Sequence, residues 1–133
     1  MARRLTPALV VCVGLVASGC QPEGPRPGTA PPASYDGVET RLLDDDLVNF
    51  RAQMTGVATR ENLIDYTRCA AAQYALIRGF GFARQVRTNV QVEGSVWIAD
   101  AVYTISPALP RGLQTLDAEI VLQDCDEQGI PTV

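Results

Sequence analysis

The chain has 133 residues, 47% apolar and 20% charged, with eleven basic residues against fifteen acids for a formal net charge of -4. That length accommodates one small globular domain plus a targeting segment. All the basic residues are arginine and histidine is absent, so the chain has neither the positive surplus that displaces phosphate counterions from nucleic acid nor the usual general base and metal-ligating imidazole.

Residues 1–19 read as a signal peptide: Arg3 and Arg4 precede an apolar run from Leu5 to Ala17 that ends in small residues. The run is too short to cross a hydrocarbon core of roughly 30 Å, which takes about 20 helical residues. Its end, Val16-Ala17-Ser18-Gly19-Cys20, resembles the lipobox of bacterial lipoproteins. The resemblance implies cleavage before Cys20 and acylation of that cysteine, which makes the membrane a partner through the lipid. Several acyl chains on one residue hold far more firmly than the marginal grip of a single chain. Gln21, rather than Asp, follows the cysteine, which by analogy with lipoprotein sorting implies the outer membrane, facing the periplasm. The alternative is an ordinary cleaved signal with an incidental cysteine. Without residues 1–19 the chain carries nine arginines against fifteen acids, and such an acidic body stands off anionic headgroups rather than lying on them.

Residues 20–36 comprise the lipidated cysteine and a tether, QPEGPRPGTAPPASYD, rich in proline and poor in residues that could face a core. Extended polyproline-like conformers at about 3 Å per residue would let it span up to roughly 50 Å. The folded domain is expected over residues 37–133. Val48, Phe50, Ala52 and Met54 alternate with Leu47, Asn49, Arg51 and Gln53 as in a half-buried strand. Thr59 can cap a helix with Glu61 in its first turn and Arg78 in its last; Leu63, Tyr66, Ala70, Tyr74 and Ile77 share a face, with Cys69 and Leu76 at its edge. Gly79 or Gly81 ends it.

Two strands follow, Phe82 to Val92 and Val96 to Ser106, joined through Glu93-Gly94-Ser95 as a tight hairpin. Phe82, Val86, Thr88, Val90 and Val92 are expected on one face of the first, and Trp97, Ala99, Ala101, Tyr103 and Ile105 on one face of the second. After a loop at 107–112, Leu116, Ala118, Ile120 and Leu122 read as a fourth strand. The order β-α-β-β-β predicts an α+β, two-layer domain with one helix on a mainly antiparallel four-stranded sheet. Val48-Asn49-Phe50-Arg51, Gly56, Thr59-Arg60-Glu61, Asp65-Tyr66, Ala71-Ala72 and Gly79-Phe80 together resemble the strand-helix signature of a family of small uncharacterised bacterial lipoproteins. The resemblance implies envelope location and fold, and carries no activity with it.

Four cysteines are present; Cys12 leaves with the signal and Cys20 is taken by lipid, so Cys69 and Cys125 remain as a pair in an oxidising compartment and a disulfide is expected. If 116–122 is a strand, Cys125 falls on the wrong side of it, and the bond needs that strand to end or bulge near Asp124. Asp44-Asp45-Asp46 and Asp124, Asp126 and Glu127 lack the spacing of a calcium loop and read as solvated acid. No catalytic residue, cofactor or metal site is expected. Alternation places Asn49, Arg51, Gln85, Arg87, Asn89, Asp100 and Glu119, with Ile98, Val102 and Val121, on the sheet face away from the helix. That mixture is the candidate partner surface, with Arg51, Arg87, Ile98, Val102 and Val121 at its heart, and the partner expected is an envelope protein. The expected role is a non-enzymatic, lipid-anchored periplasmic binding or positioning module; the alternative is a small carboxylate-based hydrolase or ligand-binding lipoprotein.

Overall fold

The structure is a computed structural model that describes residues 32–132. The expected signal peptide, Cys20 and the tether as far as Pro31 lie outside the described residues. Seven elements follow in order: β1 (Ser34–Leu42), β2 (Leu47–Thr55), α1 (Arg60–Ile77), β3 (Phe82–Glu93), β4 (Val96–Ser106), β5 (Thr115–Asp117) and α2 (Ala118–Gln128). The strands form one antiparallel sheet in the order β1-β2-β4-β3-β5. Helix α1 lies across β2, β3 and β4, and α2 packs alongside α1.

The α+β class therefore holds with five strands and two helices in place of four and one. The first difference is β1, which begins inside the stretch read as tether. Its inward residues Tyr35 and Val38 are separated by two positions instead of one, because the register with β2 shifts between Tyr35 and Gly37. That bulge hides the period-two pattern, while the strand's place at the sheet edge lets it carry Asp36, Glu39 and Arg41. The second difference is α2. Ala118, Val121 and Cys125 are buried, with Leu122 partly so, a spacing of three, four and seven that belongs to a helix. Asp117 starts it by accepting from the amides of Glu119 (3.1 Å) and Ile120 (3.3 Å) through Oδ1. Ile120, expected on the core face, is exposed.

Strand β2 follows the expected alternation, with Val48, Phe50, Ala52 and Met54 fully buried. Thr59 caps α1: its hydroxyl accepts from the Asn62 amide (3.2 Å), and the Asn62 side chain accepts from the Thr59 amide (2.9 Å). The buried arc of α1 is wider than one face, taking in Leu63, Tyr66, Thr67, Cys69, Ala70, Ala71, Ala72 and Ala75, because the helix has the sheet on one side and α2 on another. Alanine at four of those positions lets both neighbours approach closely. Ile77, expected in the core, is exposed at the last turn. Beyond it Gly79, at φ 81°, turns the chain so that its amide reaches Leu76 O and that of Phe80 reaches Ala75 O. The core is built on the Phe50 ring, which meets Tyr74 and Tyr103 edge to face with centroids 5.8 and 5.9 Å apart.

Strand β3 departs from the expected alternation. Its register with β4 shifts between Gln85 and Arg87, so Ala83 and Gln85 point inward before the bulge and Thr88, Val90 and Val92 after it. Phe82 consequently faces out, and Val86 sits at the bulge, exposed. A disulfide joins Cys69 of α1 to Cys125 of α2, with Cα atoms 6.0 Å apart. With Cys125 on a helix, it shares a face with Val121 and needs no distortion to reach Cys69.

Candidate functional site

Among the described residues no helix covers the sheet face opposite α1, and strand register arranges its side chains in rows. Gln53, Ile98 and Gln91 form one row; Glu39, Arg51, Asp100 and Asn89 form the next; Arg41, Asn49, Val102 and Arg87 form the third. The expected residues Asn49, Arg51, Arg87, Asn89, Ile98, Asp100 and Val102 thus stand together. Three do not. Gln85 is turned inward by the β3 bulge, whereas Glu119 and Val121 belong to α2, and Val121 is 5% exposed in the core. Glu39 and Arg41 were not foreseen there; the alternation of Val38, Thr40 and Leu42 with these charges was the available signal.

The apolar part of this surface is small. Val102 is only 4% exposed, flanked in its row by the longer side chains of Asn49 and Arg87. The polar part is ordered by specific pairs. Asp100 accepts from Asn49 Nδ2 (3.0 Å) and pairs with Arg87 (3.1 Å), and Asn49 Nδ2 also reaches Ala101 O (3.1 Å). Glu39 pairs with Arg41 at 3.0 Å. Arg51 stands between Glu39 and Asp100, but each of those carboxylates is held by another arginine, and among the described residues Arg51 has no ion-pair partner. Three shallow, adjoining depressions on this face all include Arg51 in their lining.

Outward strand positions carry four arginines (41, 51, 84 and 87) and four carboxylates (Glu39, Glu93, Asp100 and Asp117), with Asp36 at the bulged rim. The remaining described residues carry four arginines against nine acids. Among the described residues, charge is therefore divided between a sheet face where arginine and carboxylate are nearly balanced and an acidic remainder, with Asp44-Asp45-Asp46 in the β1–β2 turn and four acids along α2. Among the described residues no three His, Cys, Asp or Glu side chains converge as a metal site.

A second recess, of about 240 Å³, opens beside β5 and is lined by Arg68, Gln85, Tyr103, Gln114, Thr115 and Leu116. The β3 bulge turns Gln85 into it, where its Oε1 accepts from the Tyr103 hydroxyl at 3.5 Å, and Gln85 N donates to Gln114 O at 3.0 Å. Gln114 holds φ at 61°, uncommon for a residue with a side chain. Burial pushes the Tyr103 hydroxyl up to about 12, against the opposite pull of the neighbouring Thr67 hydroxyl and the Arg68 charge. Arg68 lies between Asp65 (3.6 Å) and Asp124 (3.5 Å), which largely neutralise it.

The pattern of the YNQ4 C-terminal domain matches residues 35–129, a span that takes in nearly all of β1 and everything from there to the end of α2. The chain belongs to the YNQ4 C-terminal domain family. The similarity extends to an uncharacterised 26.9 kDa protein in nqo8 5'region of Paracoccus denitrificans, 29% identical over 108 residues, which cover 77% of this chain and 42% of that protein. The chain thus spans less than half the length of the curated relative it matches. No solved structure matches it. Both the arginine-bearing sheet face and the recess beside β5 fall inside the span that defines the YNQ4 C-terminal domain; Cys20 falls outside it.

Proposed function

We propose that this YNQ4 C-terminal domain is a non-enzymatic binding module, held at the periplasmic side of the outer membrane by lipid on Cys20, and that it docks an envelope protein on the open sheet face. The observation that carries the reading is that half of the described arginines, Arg41, Arg51, Arg84 and Arg87, stand on one sheet face that no described helix covers, while the remaining described residues are acidic in balance. Complementary charge of this kind steers association and fixes orientation more than it adds affinity, which suits a positioning role. Anchoring rests on the charged start, apolar core and small-residue ending before Cys20.

Two experiments test the two halves. Cys20→Ser should abolish labelling by a fatty-acid analogue and leave uncleaved or soluble protein; full labelling in that variant refutes lipid attachment at Cys20. A photo-crosslinker placed at Asn89 should capture an envelope protein in living cells, while one placed at Glu127 on α2 should not. The reverse pattern overturns the assignment of the face. A ligand-binding lipoprotein is the second reading, favoured by the recess beside β5, where a bulge and a positive-φ glutamine converge on the buried Tyr103 hydroxyl.

A further inference from the structure

We infer that the sheet face receives an extended acidic peptide segment, laid along β2, with a carboxylate seated on Arg51. This rests on the docking reading above and goes further by naming the chemistry of what docks. Glu39 and Asp100 are the register neighbours of Arg51, and their pairs with Arg41 (3.0 Å) and with Arg87 (3.1 Å) leave the Arg51 guanidinium exposed without a carboxylate among the described residues. A guanidinium fork with nothing to hold is a ready partner for a carboxylate, which it can bind through two parallel hydrogen bonds. The three depressions that meet at Arg51 give a ligand group access from either side.

Spacing selects an extended peptide. Asn49, Arg51 and Gln53 are alternate residues of one strand, so they recur about every 7 Å along β2. An extended peptide presents its own alternate side chains at the same interval. A segment running along β2 therefore sets three successive sheet-facing side chains over Asn49, Arg51 and Gln53 in turn, an acid in the middle and a hydroxyl or amide on each side. Gln91 and Asn89 in the same rows offer amides that both donate and accept, as peptide groups require. The three central rows hold no aromatic ring on which a sugar could stack.

The test uses the full-length lipidated chain in detergent micelles and two fluorescein-labelled peptides. One repeats Thr-Ala-Glu-Ala-Thr, and the other is identical with Gln in place of Glu. Fluorescence anisotropy should show the Glu peptide binding at least tenfold more tightly than the Gln peptide, with the difference shrinking as salt rises. Arg51→Met, which keeps the apolar stem, should erase that preference, and Arg51→Lys should restore part of it. Arg60→Met, on α1, should change nothing. Equal binding of the two peptides, or a Glu preference that survives Arg51→Met, overturns the inference. The Asn89 crosslinker separates the two levels. Capture that persists undiminished in Arg51→Met cells keeps the docking face and removes the acidic segment. Loss of capture at Asn89 in the wild type removes both.

Discussion

Breaking the bond between Cys69 and Cys125 isolates what α2 contributes. The two cysteines are 56 positions apart and each is 2% exposed. Closing a loop of that length removes chain entropy from the unfolded state worth roughly 4 kcal/mol at 25 °C. A domain of this size has a total stability of about 5 to 15 kcal/mol, so the loss is a large fraction of the whole. It should lower Tm by about 15 to 30 °C at the usual 4 to 8 °C per kcal/mol. The loss should also be uneven. Helix α2 has 11 residues, only three of them buried, and a free helix of that length is marginal in water. Urea unfolding of the wild type and of the Cys69→Ala, Cys125→Ala double variant can be followed by two probes: far-UV circular dichroism for the helices, and fluorescence of the single tryptophan, Trp97 of β4, for the sheet. In the oxidised wild type the two curves should coincide. In the double variant the helical signal should fall first, and the Trp97 midpoint should drop by the equivalent of about 2 to 5 kcal/mol. A drop under about 1 kcal/mol, or two free thiols in the oxidised wild type by mass spectrometry, would refute a stabilising bond between Cys69 and Cys125.

Two further perturbations read the interior. Because burial holds the folded Tyr103 hydroxyl near 12 against an ordinary 10.0, the unfolded chain releases that proton first; its contribution is fully present below pH 10 and is lost as pH climbs toward 12, at about 1.4 kcal/mol per pH unit. Tyr103→Phe should flatten that part of the alkaline decline in urea-melt stability, leaving a shallower slope from Tyr66, which burial also raises; an unchanged slope would place its origin elsewhere. The Thr88 hydroxyl points inward on β3 with no hydrogen-bond partner among the described residues, so Thr88→Val, nearly the same shape without the polar group, should leave stability unchanged or raise it by about 1 kcal/mol. A loss of more than 1 kcal/mol would mean that the hydroxyl is satisfied in solution.

The parts of the fold that can be read from the chain are those in which each element obeys one period throughout. In β2, four consecutive inward positions are apolar and fully buried, and the cross-strand residues of β4 repeat the pattern, so the placement of Asn49, Arg51 and Asp100 on the outer face follows directly. Helix α1 carries its capping residue and its terminal glycine. Where two periods compete, the reading fails for a definable reason. Leu116, Ala118, Ile120 and Leu122 alternate perfectly, but the first belongs to a three-residue strand and the rest to a helix whose buried residues follow a different spacing. The bulges in β1 and β3 each add one residue, and a shift of one residue exchanges the faces of everything beyond it. That is how Gln85 left the candidate surface; Glu39 and Arg41 joined it unnoticed because no strand was expected before Leu47. The lone status of Arg51 could not be read from sequence at all, because it depends on which arginine each neighbouring carboxylate turns toward.

The edge position of β1 bears on how the domain withstands force. Among the described residues the chain enters through Pro32, which bridges to Val57 at the end of the sheet where β2 finishes, and then runs straight into β1. A pull delivered through the preceding residues acts along that strand. The eight register pairs from Ser34↔Thr55 to Leu42↔Val48 then carry the load side by side, in shear, so that no rung can open before the others. If the proposed lipid anchor and the proposed partner on β2, β4 and β3 both hold, tension between them would pass through this one ladder. Strand β1 buries little and adds modestly to the free energy of folding, yet it is the element that would bear the strain, so thermal tolerance and mechanical tolerance in this domain reside in different parts of the chain.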